Sequence, residues 1–216
     1  MDSEVVIIGA GVIGLAVANK IAKMRHSVIL LEKEPRYGCG ASSRNTEVIH
    51  AGIYYQTPLK AKLCVEGKEL LYRHCERYGI RHMRIGKIIL AVSKEEVPKL
   101  DLMKKQALNN GVRDLVELEK NDIKKMEPEI KGLAALYSPS SGIFDSHGFM
   151  ESLFRQVKAS GVIFAALSPF IGAEAVKGGW RVEVGGRDTT TIVCKMVINA
   201  AGLYSLELAG RVFPGR

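Results

Sequence analysis

The sequence predicts an α/β fold, on three observations. Val5, Val6, Ile7 and Ile8 form an all-apolar, β-branched run, as suits a parallel strand buried on both faces. The glycine-rich turn Gly9-Ala10-Gly11-Val12-Ile13-Gly14 follows it directly and opens a stretch with Leu15, Ala18 and Ile21 at helical spacing. A second apolar strand over 27–31 then ends at Glu32, completing a strand–helix–strand unit.

The remaining elements follow in order. Residues 34–46 are rich in Gly, Ser and Arg and read as a loop entering a short helix. A long amphipathic helix is predicted over 59–78, with Leu63, Leu70, Leu71 and Cys75 facing inward. Two short strands flank Gly86 within 81–92, and a helix over 95–110 stops at Gly111. Asn121 is the expected cap of a short helix that ends before Pro128. Further strands are read at 133–138, 162–164, 170–176, 180–184 and 189–199, with helices at 147–160 and from 203 onward. Neither an internal repeat nor a low-complexity segment interrupts this pattern.

Composition narrows the class. The 216 residues, 47% hydrophobic and 25% charged, suffice for a globular core and argue against a disordered or fibrous chain. The net charge is +8, but the basic residues are scattered, with only short pairs such as Lys104-Lys105 and Lys124-Lys125, and none alternate with aromatics, so nucleic-acid binding is not expected. Cys39, Cys64, Cys75 and Cys194 lack metal-ligand spacing; they read as reduced thiols of a non-secreted protein, and no metal site is predicted. The uncharged stretch 5–19 follows Asp2 and Glu4 rather than a basic region, and is shorter than the roughly 20 residues of a spanning helix. Neither a signal peptide nor a transmembrane segment is expected, and no organelle presequence is visible.

The turn after the first strand carries the chemistry. In a GxGxxG arrangement Gly9 allows a tight turn, Gly11 lets backbone approach a pyrophosphate, and Gly14 permits close helix–strand packing. The helix start at Val12 and Ile13 offers unpaired amides and a positive dipole end to phosphate. Glu32 ends the second strand, where a carboxylate accepts hydrogen bonds from a ribose and repels a 2′-phosphate. A nicotinamide-binding domain usually proceeds from there to another strand–helix unit. Here the loop 36–45 intervenes, with Ser42, Ser43, Arg44 and Asn45 suited to close approach by an extended cofactor. About 190 residues after the first glycine, the strand at 189–199 runs into Ala200, Ala201 and Gly202, a second strand–small-residue junction. Two such junctions point to one FAD in a discontinuous domain. Lys33, beside Glu32, and Phe170, at a strand start, complete the predicted cofactor set.

The stretch Ser43-Arg44-Asn45-Thr46-Glu47-Val48-Ile49-His50-Ala51-Gly52-Ile53-Tyr54-Tyr55 resembles the signature of the L-2-hydroxyglutarate dehydrogenase family, within the D-amino-acid-oxidase-like flavoproteins that also include glycerol-3-phosphate and sarcosine oxidases. The likeness continues through Leu59–Cys64 as Leu59-Lys60-Ala61-Lys62-Leu63-Cys64, through Gly86-Lys87 and Gly142-Ile143-Phe144-Asp145, and into Ala201-Gly202-Leu203-Tyr204-Ser205. It implies FAD-dependent oxidation of (S)-2-hydroxyglutarate to 2-oxoglutarate, a quinone-linked or other non-nicotinamide electron acceptor, and a mitochondrial location. Two departures stand out. The chain ends at Arg216, where the family continues for about as long again, so it reads as truncated at the C-terminus; and Ser146 follows Asp145 where the family has an aromatic residue.

Oxidation of a 2-hydroxy acid needs removal of the hydroxyl proton, and a histidine titrating near neutrality suits that task. His50, before Ala51-Gly52, is the expected base or substrate-orienting residue. Two alternatives stay open: a packed histidine that only holds the loop, and a covalent flavin attachment point as in related amine dehydrogenases. A dicarboxylate substrate calls for cationic or hydroxyl partners, for which Arg44, Tyr54, Tyr55 and Lys60 are the candidates. Arg44 is equally suited to the FAD pyrophosphate.

The expectation is therefore an α/β fold: a Rossmann-type FAD-binding domain, residues 1–80 and 144–216, with a partial α+β substrate domain, 81–143, inserted. Rival readings are another flavin oxidoreductase of the superfamily, acting on glycerol 3-phosphate or a secondary amine, and a catalytically inactive FAD-binding fragment in which the strand 189–199 is left as an exposed sheet edge.

Overall fold

A computed structural model describes residues 1–213; the last three residues of the expected FAD-binding segment, 214–216, lie outside the described residues. The elements are β1 (Ser3–Ile8), α1 (Val12–Lys23), β2 (Val28–Leu31), β3 (Val48–Ile49), α2 (Pro58–Tyr78), β4 (His82–Met83), β5 (Ile88–Ala91), α3 (Val97–Asn109) and β6 (Val116–Glu119). They continue with α4 (Lys120–Met126), β7 (Ala134–Tyr137), β8 (Gly142–Phe144), α5 (Ser146–Ala159), β9 (Ile163–Ala165), β10 (Phe170–Val176), β11 (Gly179–Val184), β12 (Thr190–Asn199) and α6 (Ser205–Val212). The chain divides into two compact units. One takes Met1–Asn45 together with the residues from Ser146 onward, the other Thr46–Asp145.

The first unit is built on a six-stranded sheet of order β10-β11-β12-β1-β2-β9. β12, β1, β2 and β9 run parallel, whereas β10, β11 and β12 form an antiparallel meander. β1 and β2 lie inside the sheet, so the alternation of their side chains feeds two cores. Val5, Ile7, Val28 and Leu30 pack with Leu15 and Ala18 of α1 and Met150, Leu153 and Val157 of α5. On the opposite face Val6, Ile8, Ile29 and Leu31 pack with Phe170, Val182, Val184 and Cys194. Continuous apolar strands are needed because both faces are covered. β12 is an interior strand: Thr190–Val184 and Cys194–Trp180 pairs join it to β11, and Cys194–Ser3 through Asn199–Ile8 pairs join it to β1. The exposed edge expected at 189–199 is thereby corrected, since the meander supplies the neighbour.

The second unit holds two three-stranded antiparallel sheets, β3-β8-β4 and β5-β7-β6. Its first boundary falls at Asn45/Thr46, earlier than residue 80, because the segment after β3 buries itself locally. Ala51 and Ile53 pack with Val65 of α2 and with Ala107 and Val112 at the end of α3. Two expectations change here. In α2 the inward face is Ala61, Tyr72 and Cys75, while Leu63 and Leu70 are 58% and 59% exposed. Residues 61, 65, 68, 72 and 75 share one helical phase, whereas Leu63 and Leu70 lie outside it; side-chain size misled where phase decides. The cap of α4 is Glu119, not Asn121. The Glu119 carboxylate accepts from the Asp122 amide, and the Asp122 carboxylate accepts from the Glu119 amide at 3.2 Å, a reciprocal box that leaves Asn121 within the helix.

Tyr72, fully buried, donates its hydroxyl to the Ser140 carbonyl at 3.1 Å, which removes the cost of burying that oxygen. All four cysteines are free thiols, Cys75 and Cys194 being buried. Among the described residues no helix is long and apolar enough to cross a membrane, and no cluster of side chains has the makings of a metal site.

Leu30, with no exposed surface in the middle of the parallel sheet, tests this packing. Leu30→Ala is expected to cost about 2–5 kcal/mol of stability, read as a lowered denaturant midpoint with an unchanged slope.

Candidate functional site

In the first unit the carboxyl ends of β2, β1 and β12 carry three loops side by side. Gly9 leaves β1 with φ of +97°, a conformation that disfavours any side chain, and its amide donates to the Leu31 carbonyl at 2.8 Å. A Cβ on Gly9 would stand 2.7 Å from the Ala200 carbonyl oxygen, and one on Gly14 1.9 Å from that of Gly9. The small residues at Ala200 and Ala201 are thus explained locally: the end of β12 packs backbone-to-backbone on the turn after β1. The Ala200 amide donates to the Ile8 carbonyl at 2.8 Å, and Asn199 braces the turn by accepting from the Ala201 amide and donating to the Ser205 carbonyl.

The amino end of α1 is open to a ligand. Helix geometry leaves the first amides without intrahelical acceptors. The Val12 amide donates to Ser42 Oγ at 3.0 Å, whereas those of Ile13 and Gly14 find no acceptor among the described residues. Ser42 Oγ, having accepted that bond, keeps its proton for a further acceptor. Ile13 leaves its side chain 64% exposed. Free amides, a hydroxyl proton and the positive end of the helix dipole form a donor set that fits a pyrophosphate.

Glu32 is 9% exposed. Its Oε2 accepts from the Ala10 amide at 2.8 Å and its Oε1 from the Glu34 amide at 3.0 Å. Two backbone donors hold the carboxylate in place without a cation among the described residues, and each oxygen retains a lone pair for a ribose hydroxyl. A 2′-phosphate would meet an unneutralised charge. Lys33 turns the other way: its Nζ lies 3.5 Å from Glu34 Oε1 and 4.2 Å from the centre of the Tyr204 ring. These contacts raise its pKa above the usual lysine range, although burial of the ammonium acts against them.

The rest of the predicted cofactor set is placed as follows. Ser43 donates to the Gly40 carbonyl at 3.2 Å and Asn45 to the Ser42 carbonyl at 2.9 Å. Arg44 Nη1 donates to the carbonyls of Cys39 and Gly40. These three side chains hold the loop around the short turn Ala41–Ser43, which in turn presents Ser42 to α1. Phe170 is buried in the core, and its carbonyl accepts from Arg211 Nη1 at 3.2 Å. Gly202 has φ of +58°.

The second unit holds His50, Tyr54, Tyr55 and Lys60. The loop after β3 is pinned through its carbonyls: Asn110 Nδ2 donates to Gly52 and Tyr55 at 2.9 Å each, Gln106 Nε2 to Tyr55 at 3.2 Å, and Cys64 Sγ to His50 at 3.4 Å. Ala51 and Ile53 are buried, whereas His50 and Tyr54 on either side are exposed. The His50 imidazole titrates below the ordinary histidine value, first through desolvation by its surroundings and second through the charge of Lys87. Lys87 Nζ also stands 4.6 Å from the centre of the Tyr54 ring. Tyr55 is pushed up by burial and by the neighbouring Cys64 thiol. Lys60 is exposed on the first turn of α2. Lys87 and Tyr204 lie in segments that carry the family resemblance, but nothing in their sequence context points to these long-range contacts.

The family model described as DAO, FAD dependent oxidoreductase, matches residues 4–216. The mitochondrial L-2-hydroxyglutarate dehydrogenase of Arabidopsis thaliana is 48% identical over 154 residues, covering 71% of this chain and 32% of that protein. That of Homo sapiens is 36% identical over 225 residues, covering 96% of this chain and 48% of that protein. The chain therefore spans a third to a half of the length of these relatives. Among solved structures, L-alpha-glycerophosphate oxidase from Mycoplasma pneumoniae, with FAD bound, superposes with a TM-score of 0.91 at 27% identity, over 97% of this chain and 56% of that one. Glycine oxidase from Geobacillus kaustophilus gives 0.83 at 26% identity, over 97% and 58%.

The close approach at the end of β1 has a direct test. Gly14→Ala forces a methyl into the Gly9 carbonyl and is expected to lose at least about 1–3 kcal/mol of stability. Gly40→Ala, where an added methyl meets nothing within 4 Å, should leave the thermal midpoint unchanged.

Proposed function

Given that the chain belongs to the FAD-dependent oxidoreductase family, we propose that it binds FAD and serves the oxidation of (S)-2-hydroxyglutarate to 2-oxoglutarate. The observation that carries the substrate is the 36% identity with a named L-2-hydroxyglutarate dehydrogenase along 96% of this chain. The unit holding β1, α1, β2 and β12 takes the role of FAD-binding domain, and the residues 46–145 contribute to substrate binding. Electrons leave to a non-nicotinamide acceptor. The names of the relatives support a mitochondrial location.

Gly11 lets the backbone approach the cofactor, while Gly9 and Gly14 let the turn pack against β12 and α1; the α1 amides and Ser42 hold its pyrophosphate; Glu32 holds a ribose. Bound FAD supplies the two-electron acceptor for the hydride that leaves C2 of the substrate. His50 takes the hydroxyl proton. Its lowered pKa keeps the imidazole neutral at pH 7, with a ring nitrogen ready to accept. Lys87, with Tyr54 beside it, gives one substrate carboxylate a counter-charge. Arg44 spends its guanidinium on loop carbonyls, which weighs against its assignment to the substrate.

The reading is tested by the visible spectrum and by anaerobic addition of (S)-2-hydroxyglutarate. Flavin absorption that bleaches supports both cofactor and substrate. Bleaching only by glycerol 3-phosphate or sarcosine would transfer the site to a sister activity, and a yellow protein inert to all three would identify a binding fragment.

The base assignment predicts a pH profile. A histidine whose folded pKa lies below the ordinary value of 6.5 binds its proton more weakly than in the unfolded chain. Its contribution to stability therefore diminishes as pH falls from about 6.5 through the folded value. kcat/KM, which reports the free protein, should fall over the same acidic window, as the imidazole gains a proton and ceases to be a base. His50→Gln should lower kcat by about 10²–10⁴-fold and remove that acid limb. An acid limb that survives in His50→Gln, with kcat intact, would leave His50 as a loop-holding residue only.

A further inference from the structure

Tyr204 lies outside every predicted set, and it belongs to the loop after β12. Lys33 belongs to the loop after β2. In the sheet β1 stands between those two strands, and all three run parallel. A contact joining Lys33 to Tyr204 therefore crosses the carboxyl end of β1, where the turn Gly9 to Gly11 and the open amino end of α1 lie. Neighbouring strands are spaced by roughly 4.8 Å, so the contact bridges two strand spacings, a reach suited to a long lysine stem and a phenol ring.

The bridge is anchored at both ends. Lys33 Nζ is 4.2 Å from the Tyr204 ring centre and 3.5 Å from Glu34 Oε1. The Glu34 amide donates to Glu32 Oε1, whose partner oxygen Oε2 holds the Ala10 amide. At the other end the Tyr204 amide donates to the Ala201 carbonyl, and Ala200 packs on Gly9. One chain of contacts thus runs from the glycine turn through Glu32, Glu34 and Lys33 to Tyr204 and back to the glycine turn. Lys33 and Tyr204 are each about half exposed, at 49% of the side chain and 50% of the residue, so their contact sits at the mouth of this ring rather than in its floor.

We infer that Lys33 and Tyr204 form a clasp across the dinucleotide cleft, making Tyr204 a positioning residue that slows the release of a bound flavin dinucleotide. The inference rests on the FAD-binding reading above. Exposed cation–π contacts are modest, so the effect is kinetic retention by about two- to fivefold, not an on-off switch. The ring of Tyr204 supplies the face beneath the ammonium, and its hydroxyl adds a polar interaction with Lys33.

The test compares FAD release from the wild-type full chain with release from Tyr204→Ala, Tyr204→Phe, Lys33→Met and Lys33→Arg, by the recovery of free-flavin fluorescence after dilution. Tyr204→Ala and Lys33→Met should release FAD about two- to fivefold faster. Lys33→Arg should match the wild type, since a cation is retained, and Tyr204→Phe, which keeps the aromatic face but loses the hydroxyl, should fall between the wild type and Tyr204→Ala. The thermal midpoints of the FAD-free proteins should agree, which separates a clasp from general loosening of the unit. Equal release rates in Tyr204→Ala, or slower release because the bridge occupies the ligand's own place, would overturn the inference. Wild-type protein that takes up no FAD would overturn the cofactor reading itself.

Discussion

The structure of the first unit depends on one steric constraint, the contact of backbone with backbone at the end of β1. Gly9 faces the Ala200 carbonyl at a distance that admits no side chain, and Gly14 faces Gly9 in the same way. α1 can start immediately after the strand, and β12 can lie directly against the turn, only because those positions carry hydrogen or methyl groups. The parallel pairing of β1 with both β2 and β12 then follows, and with it the alternation that feeds one core beneath α1 and α5 and another beneath the meander. Any larger residue at Gly9 or Gly14 pushes apart the elements that define the sheet.

Glu32 converts that packing into chemistry. A carboxylate at 9% exposure with no cationic partner among the described residues is costly unless its oxygens are hydrogen-bonded, and the amides of Ala10 and Glu34 meet that need. The same two bonds fix the side chain between the first two loops. Its direction is set by the protein before any ligand arrives, which lowers the ordering cost of binding. Ser42 performs the matching task at the other side of the turn, reaching from a loop 30 residues downstream to the first amide of α1. Ser43, Arg44 and Asn45, by holding that loop through its own carbonyls, act on the site through Ser42.

How much of this was legible in the sequence follows from the range of the interactions involved. The strands 5–8 and 27–31, the glycine turn and Glu32 are encoded within about 30 residues, and local spacing read them correctly as a dinucleotide-binding fold. The helical phase of α2 was harder. Leu63 and Leu70 are apolar and regularly spaced, yet the buried face joins the expected Cys75 to the smaller Ala61 and to Tyr72, whose hydroxyl finds a partner in Ser140. A sequence window registers apolar size but not the acceptor, 68 residues away, that makes a tyrosine the better inward residue. The interior place of β12 depends on pairing partners on both flanks, one of them at the chain's start, and no local pattern encodes those. Lys87 beside Tyr54 and Tyr204 beside Lys33 are contacts of the same non-local kind.

In the second unit one cation ties the proposed acid–base chemistry to substrate charge. Desolvation is the main reason that His50 gives up its proton readily, and the field of Lys87 adds to it. Under the proposed function, a substrate carboxylate beside Lys87 would cancel that second contribution and leave the first, so that proton acceptance by His50 and recognition of substrate charge would both act through Lys87.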